Sequence, residues 1–215
     1  MAPPFNKDSP LFRHRQLAPT ASVRVSPLCV GAMTFGEAHS KRYGECSKEE
    51  SFKILDYYYH SGGNFIDTAN AYRDGQSEEW VGEWMASRKN REDIVLATKY
   101  SNSYMAGRDD HIQSNSVGTG VRSMKRSLES SLARLQTSWI DLFYVHYWDF
   151  TTSIPELMHG LNDLVVAGKV MYLGISDTPA WVVSMANEYA RAHGLRPFSV
   201  YQGTKGPDTK YMCSH

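Results

Sequence analysis

Cysteine is scarce: the 215 residues hold three, Cys29, Cys46 and Cys213. An odd number without metal-ligand spacing argues against a disulfide framework and points to reduced thiols in a cytoplasmic protein. An excess of either charge is also missing, because 23 Lys and Arg balance 23 Asp and Glu. That balance removes the electrostatic case for nucleic acid or an anionic membrane surface as partner. No apolar run approaches the ~18–20 residues of a membrane span. The opening Met1-Ala2-Pro3-Pro4-Phe5-Asn6-Lys7-Asp8 has no apolar stretch of the secretory-signal kind. Absent too are G-x-G-x-x-G after the first strand, G-K-S/T, H-E-x-x-H and G-x-S-x-G. The dinucleotide-fingerprint, P-loop, zinc-protease and α/β-hydrolase readings lose their main support with them. What is present is an ordinary globular composition, 41% hydrophobic and 21% charged, long enough for one large domain.

Residues 1–10 are Pro-rich and polar and read as a loose arm. Residues 11–25 alternate apolar with polar around Pro19 and read as a short hairpin. Beyond them, short apolar runs recur at Leu28–Met33, Asn64–Asp67, Ile94–Lys99, Ile140–His146, Val170–Ser176 and Phe198–Gln202. These runs do not alternate, as expected of parallel strands covered on both faces. Amphipathic segments separate them. Residues 48–61 follow a Ser47 capping pattern and end at Gly62-Gly63. Residues 121–135 place Val121, Met124, Leu128, Leu132 and Leu135 on one face, and residues 154–167 end before Gly168. A further helix opens with Thr178 as N-cap and Pro179 as N1, with Trp181, Val182, Met185 and Tyr189 as its apolar face. Six strands alternating with helices predict repeated βαβ units, an α/β fold with a parallel sheet. Residues 101–120 are polar and aperiodic. A loop of that length either covers a site or is a tolerated surface insertion.

Parallel α/β folds place their sites at the C-terminal ends of strands. There Asp67 ends the second strand, Tyr72 follows in its loop, Lys99 ends the third and His146 ends the fourth. Singly, each has a plain alternative as a loop cap, a packed ring, a solvated amine or a satisfied histidine. Together they suit one reaction. A carbonyl that accepts hydride becomes an alkoxide and needs a proton. A phenol has an ordinary pKa of about 10. An adjacent cation, Lys99, is expected to lower that of Tyr72 toward working pH. Asp67 would hold the ammonium in place, and His146 would orient the carbonyl.

Gly63-Asn64-Phe65-Ile66-Asp67-Thr68-Ala69-Asn70-Ala71-Tyr72, then Leu96-Ala97-Thr98-Lys99, then Asp141-Leu142-Phe143-Tyr144-Val145-His146 resembles the aldo-keto reductase signature. Gln76-Ser77-Glu78-Glu79-Trp80-Val81-Gly82 and Leu173-Gly174-Ile175-Ser176-Asp177 are similar to the fungal aryl-alcohol dehydrogenase and norsolorinic-acid reductase branch. The resemblance spans residues 11–202. It implies a parallel β/α barrel, NADP(H) as cofactor, and a small carbonyl or alcohol substrate from secondary metabolism. It further implies an Asp67, Tyr72, Lys99 and His146 tetrad with Tyr72 as the acid. Cofactor contacts are implied at Gly31, Ala32, Met33, Asp67, Ser176, Asp177 and Gln202, although many family members have Asn where this chain has Asp177. Tyr72, His146 and Trp148 are the candidate substrate contacts, Trp148 being equally readable as a packed core ring. Tyr100, Tyr104 and Trp148 give the expected mouth an aromatic character.

The family barrel has eight strands and ~250 residues, whereas recognisable pattern stops here after the sixth strand. Residues 203–215 read as a non-family polar tail, out-of-frame, alternatively spliced or prematurely terminated. The expected barrel is therefore incomplete, about six of eight units, with open edges that invite association. The basic cluster that would grip the cofactor phosphate has no counterpart. Charge-assisted hydrogen bonds contribute roughly 1.5–3 kcal/mol each, so losing three costs on the order of 5–9 kcal/mol of affinity. Two alternatives stand beside the reductase. One is a catalytically inactive remnant or interaction module; the other is a barrel enzyme using Asp67 and His146 on a metal, without further ligands.

Overall fold

The computed structural model describes residues 4–105, 107–108 and 110–203. The proposed tail from residue 204 on, with Cys213, lies outside the described residues. Strands β1 (Arg15–Ala18) and β2 (Ala21–Val25) form the expected antiparallel hairpin. Six further strands, β3 (Val30–Gly31), β4 (Phe65–Asp67), β5 (Val95–Tyr100), β6 (Ile140–Val145), β7 (Val170–Ser176) and β8 (Phe198–Gln202), pair in parallel in sequence order. A short helix α1 (Ser40–Tyr43) precedes the long helices α2 (Lys48–His60), α3 (Gln76–Arg88), α4 (Val121–Arg134), α5 (Ile154–Val166) and α6 (Ala180–Ala192). This is the expected incomplete β/α barrel, a six-stranded curled sheet with helices outside.

Local chemistry sets the helix boundaries. Ser47 and Ser153 accept hydrogen bonds from the Glu50 and Glu156 amides, capping α2 and α5. Thr178 does not cap α6 as expected; its hydroxyl donates to the Ser176 carbonyl instead, and Pro179 holds the N-cap. The face of α6 differs too. Val182, Ala186 and Ala190 are buried, while Trp181 and Met185 are more than half exposed. Small side chains at a four-residue interval let the helix lie close to the sheet, which turns the bulky ones outward. Strand β3 is shorter than the apolar run Leu28–Met33, because an edge strand has one neighbour to pair with.

The hairpin closes the N-terminal end of the sheet. Thr20 donates to Ser199 at the start of β8 (2.9 Å), and Asn64 before β4 donates to the Arg24 carbonyl (3.0 Å). It thus reaches both arms of the curl. Residues 4–9, read as a loose arm, lie against this base, with Phe5 packed edge-on to Tyr59 (5.2 Å). Outward residues Ile66, Leu96, Phe143 and Ile175 form the main core with the helices. Inward residues Ala97, Leu142 and Tyr144 pack with Leu17, Phe65 and Tyr172. Among the described residues no helix is long and apolar enough to cross a membrane.

Candidate active site

A strand's side chains alternate between its faces. Phe65 and Ala97 point inward, so Asp67 and Lys99, two residues on, do so as well. Their strands are adjacent, with Asp67 opposite Ala97. Lys99 Nζ donates to Asp67 Oδ2 (2.5 Å), to the Thr68 carbonyl (2.9 Å) and to Tyr72 Oη (3.3 Å). Its side chain is fully buried. Burial of an ammonium is tolerated only with such partners. His146 follows β6, and its ring meets that of Tyr72 edge-on at 5.7 Å. The structure therefore brings all four residues together at the C-terminal rim. A cleft of about 400 Å³, lined by Tyr72, His146, Met33, His39, Arg42 and Asn102 among others, opens beside them.

The electrostatics correct one expectation. Burial pushes the Tyr72 phenol above its ordinary value; Lys99 opposes this and Asp67 adds to it. Burial, the largest cause, outweighs the pull of the ammonium. Tyr72 consequently keeps its proton at neutral pH. Burial likewise raises Asp67 against the pull of Lys99. Burial, then the Lys99 charge, lowers His146 to about 4, so the imidazole is neutral.

The cofactor candidates fall into two groups flanking this cluster. Gly31 pairs with Asp67, and the Ala32 amide donates to the Asp67 carbonyl (2.8 Å). Gly31 has open space where a Cβ would stand, and Met33 is exposed. On the other arm Ser176 pairs with Gln202, and the Asp177 amide donates to the Gln202 carbonyl (3.3 Å). Gln202 also hydrogen-bonds Asp67. These polar groups fit the amide end of a nicotinamide. No Lys or Arg occurs at residues 177–180 or 203, which follow the two strands, so these residues supply no grip for a phosphate. Tyr100 is corrected as a mouth residue, and Trp148 takes the packed position of its alternative reading. Trp148 is about nine-tenths buried within the apolar core, and Tyr100 is fully buried, stacked on Phe143 at 5.1 Å. Each is packing.

Sequence reasoning missed the residues that brace the site. Glu78 on α3, fully buried, accepts from Thr98 (2.6 Å) and Arg134 (3.4 Å). Arg134 also donates to the carbonyls of Asn70 (2.9 Å) and Tyr104 (3.1 Å). It thereby ties the Tyr72 loop and the loop after β5 to α4. Asn102 contacts His146 (3.1 Å). A charged residue between Ser77 and Trp80 on a helix buried on several sides was the only signal for Glu78. Among the described residues no three His, Cys, Asp or Glu side chains cluster as a metal site, so the metal alternative gains no further ligand.

A parallel β/α half-barrel with a Lys-Asp-Tyr-His cluster at its C-terminal rim defines a protein of the β/α-barrel class. Residues 27–205 match the aldo/keto reductase family, and the chain belongs to it. It is 68% identical over 192 residues to norsolorinic acid reductase B of Dothistroma septosporum, covering 89% of this chain and 49% of that protein. It is 57% identical over 201 residues to an aryl-alcohol dehydrogenase of Pestalotiopsis microspora, covering 94% and 52%. An aryl-alcohol dehydrogenase (NADP(+)) of Phanerodontia chrysosporium is 52% identical over 206 residues, covering 94% and 54%. The chain spans about half the length of these curated relatives.

Proposed function

We propose that this chain carries the proton-handling part of an NADPH-dependent carbonyl reductase. It would convert an aldehyde or ketone of an aromatic or polyketide-like metabolite to the alcohol, or the reverse, in the cytoplasm. The observation that carries the reading is Lys99 Nζ lying 2.5 Å from Asp67 and 3.3 Å from Tyr72 Oη at the mouth of the cleft. When bound, the nicotinamide supplies hydride. Tyr72, protonated at neutral pH, donates its proton to the oxygen as negative charge develops there. Lys99 stabilises the phenolate left behind, and Asp67 holds Lys99 on station. His146, neutral, orients the carbonyl. Gly31, Ala32, Met33 and Asp67 on one arm, with Ser176, Asp177 and Gln202 on the other, would hold the nicotinamide end. Names of the similar proteins support the substrate class, and the family supports the cofactor.

The test is NADPH oxidation with aryl aldehydes, comparing wild type with Tyr72→Phe. A fall on the order of 10²-fold or more is expected; unchanged turnover rejects Tyr72 as the acid. A second reading, a remnant or association module lacking the phosphate site, draws on β3 and β8 having a strand on one side only among the described residues. Fluorescence titration separates the two. Micromolar saturation by NADPH supports the reductase, and its absence together with concentration-dependent association supports the module.

A further inference from the structure

We infer that Asn102 is a positioning residue that sets which ring nitrogen of His146 carries the proton. The geometry stands alone; its catalytic consequence rests on the carbonyl-reductase reading. Asn102 Nδ2 lies 3.1 Å from His146 Nδ1. An amide nitrogen can only donate, so Nδ1 presents its lone pair and the single proton of a neutral ring sits on Nε2. A carbonyl oxygen needs a donor to orient it. The opposite tautomer would turn a lone pair on Nε2 toward the substrate.

Asn102 is held in place by a purpose-built turn. Ser101, fully buried, has φ +111°, a conformation that a non-glycine residue adopts only where its surroundings impose it. Its carbonyl accepts from the Gly118 amide (2.7 Å) and Tyr147 Oη (3.0 Å), and its hydroxyl accepts from the His146 amide (3.3 Å). The Asn102 carbonyl accepts from Asn70 Nδ2 (2.9 Å), and the Asn70 amide donates to the Lys99 carbonyl (3.0 Å). The strained turn delivers the Asn102 amide to the imidazole, and the same bonds tie both to the strand of Lys99. Burial, followed by the Lys99 charge, keeps the ring neutral, the state in which the tautomer matters.

Nitrogen-15 NMR of histidine-labelled protein tests this directly. His146 is one of eight histidines and is assigned by difference from His146→Gln. In wild type at pH 7, Nε2 is expected to be protonated and Nδ1 bare. The nearly isosteric Asn102→Asp, whose carboxylate only accepts, is expected to move the proton to Nδ1 and raise the ring's titration; Asn102→Ala is expected to give a mixture. Turnover in Asn102→Asp should fall on the order of 10²-fold in kcat, with KM changed far less. Protonated Nδ1 in wild type, or an unaltered tautomer in both variants, overturns the inference. If wild type oxidises no NADPH while the NMR result holds, the reductase reading fails alone. If wild type is active and both variants keep its kcat, Asn102 has no positioning role.

Discussion

Lys99 sits on a strand flanked on both sides and touches three partners inside the protein, whereas Gln202 ends a strand with a single neighbour among the described residues and is exposed. Both belong to one rim. Strands β4 and β5, each paired on both sides, hold Asp67 and Lys99 in fixed relation. Of the residues proposed to hold the cofactor, Gly31 on β3 and Gln202 on β8 lie on strands with one neighbour among the described residues, whereas Ser176 lies on β7, paired with both β6 and β8. The contrast separates two demands on such a site: proton transfer tolerates little displacement, whereas cofactor contacts are distributed and individually modest.

The strongest way to break the contrast is Lys99→Met. It leaves Asp67 buried without its cation, and a stability loss of about 3–5 kcal/mol is expected in urea unfolding, with turnover lost. Stability equal to wild type would show that the pair does not brace the rim. Arg134→Met comes next, at about 2–4 kcal/mol, because Glu78 loses its cation and two loop carbonyls lose a donor. Adding Glu78→Gln should recover part of that loss. A third, smaller effect follows pH. His146 takes its proton at about 4 instead of 6.5, so between these values the unfolded chain binds more protons and stability falls as pH falls. The same change in His146→Gln should be smaller by thermal unfolding, and the acid limb of turnover should lie near 4. Gln202→Ala sharpens the comparison from the weak side. NADPH affinity should drop by about 0.5–1.5 kcal/mol, with stability within about 0.5 kcal/mol of wild type. A loss of several kcal/mol in folding would erase the distinction between rim and edge.

Much of this was legible in the residues. Strand-ending polar groups, the Ser47 cap and the change from hairpin to parallel runs follow from the local pattern, and their positions at strand C-terminal ends bring Asp67 and Lys99 to one rim. What was not legible depends on packing between distant elements. The largest apolar residues of α6, Trp181 and Met185, invite an inward assignment, yet the close approach of helix to sheet selects Val182, Ala186 and Ala190. Glu78 is fully buried because Thr98 and Arg134 meet it from other elements. Asn102 lies in an aperiodic loop, and nothing nearby in the chain announces His146, 44 residues later.

Arg73, adjoining the proposed acid, has φ +54° and donates to the carbonyls of Thr34 (3.1 Å), Ala38 (2.6 Å) and Gly44 (2.9 Å). Its stem passes so near Gly36 that a Cβ there would lie 2.5 Å from Arg73 Cβ. Because all three bonds end on main-chain oxygens, the guanidinium moors the segment without prescribing its side chains. The main chain beside Met33 and His39 on the cleft wall is thus tied to the loop that carries Tyr72.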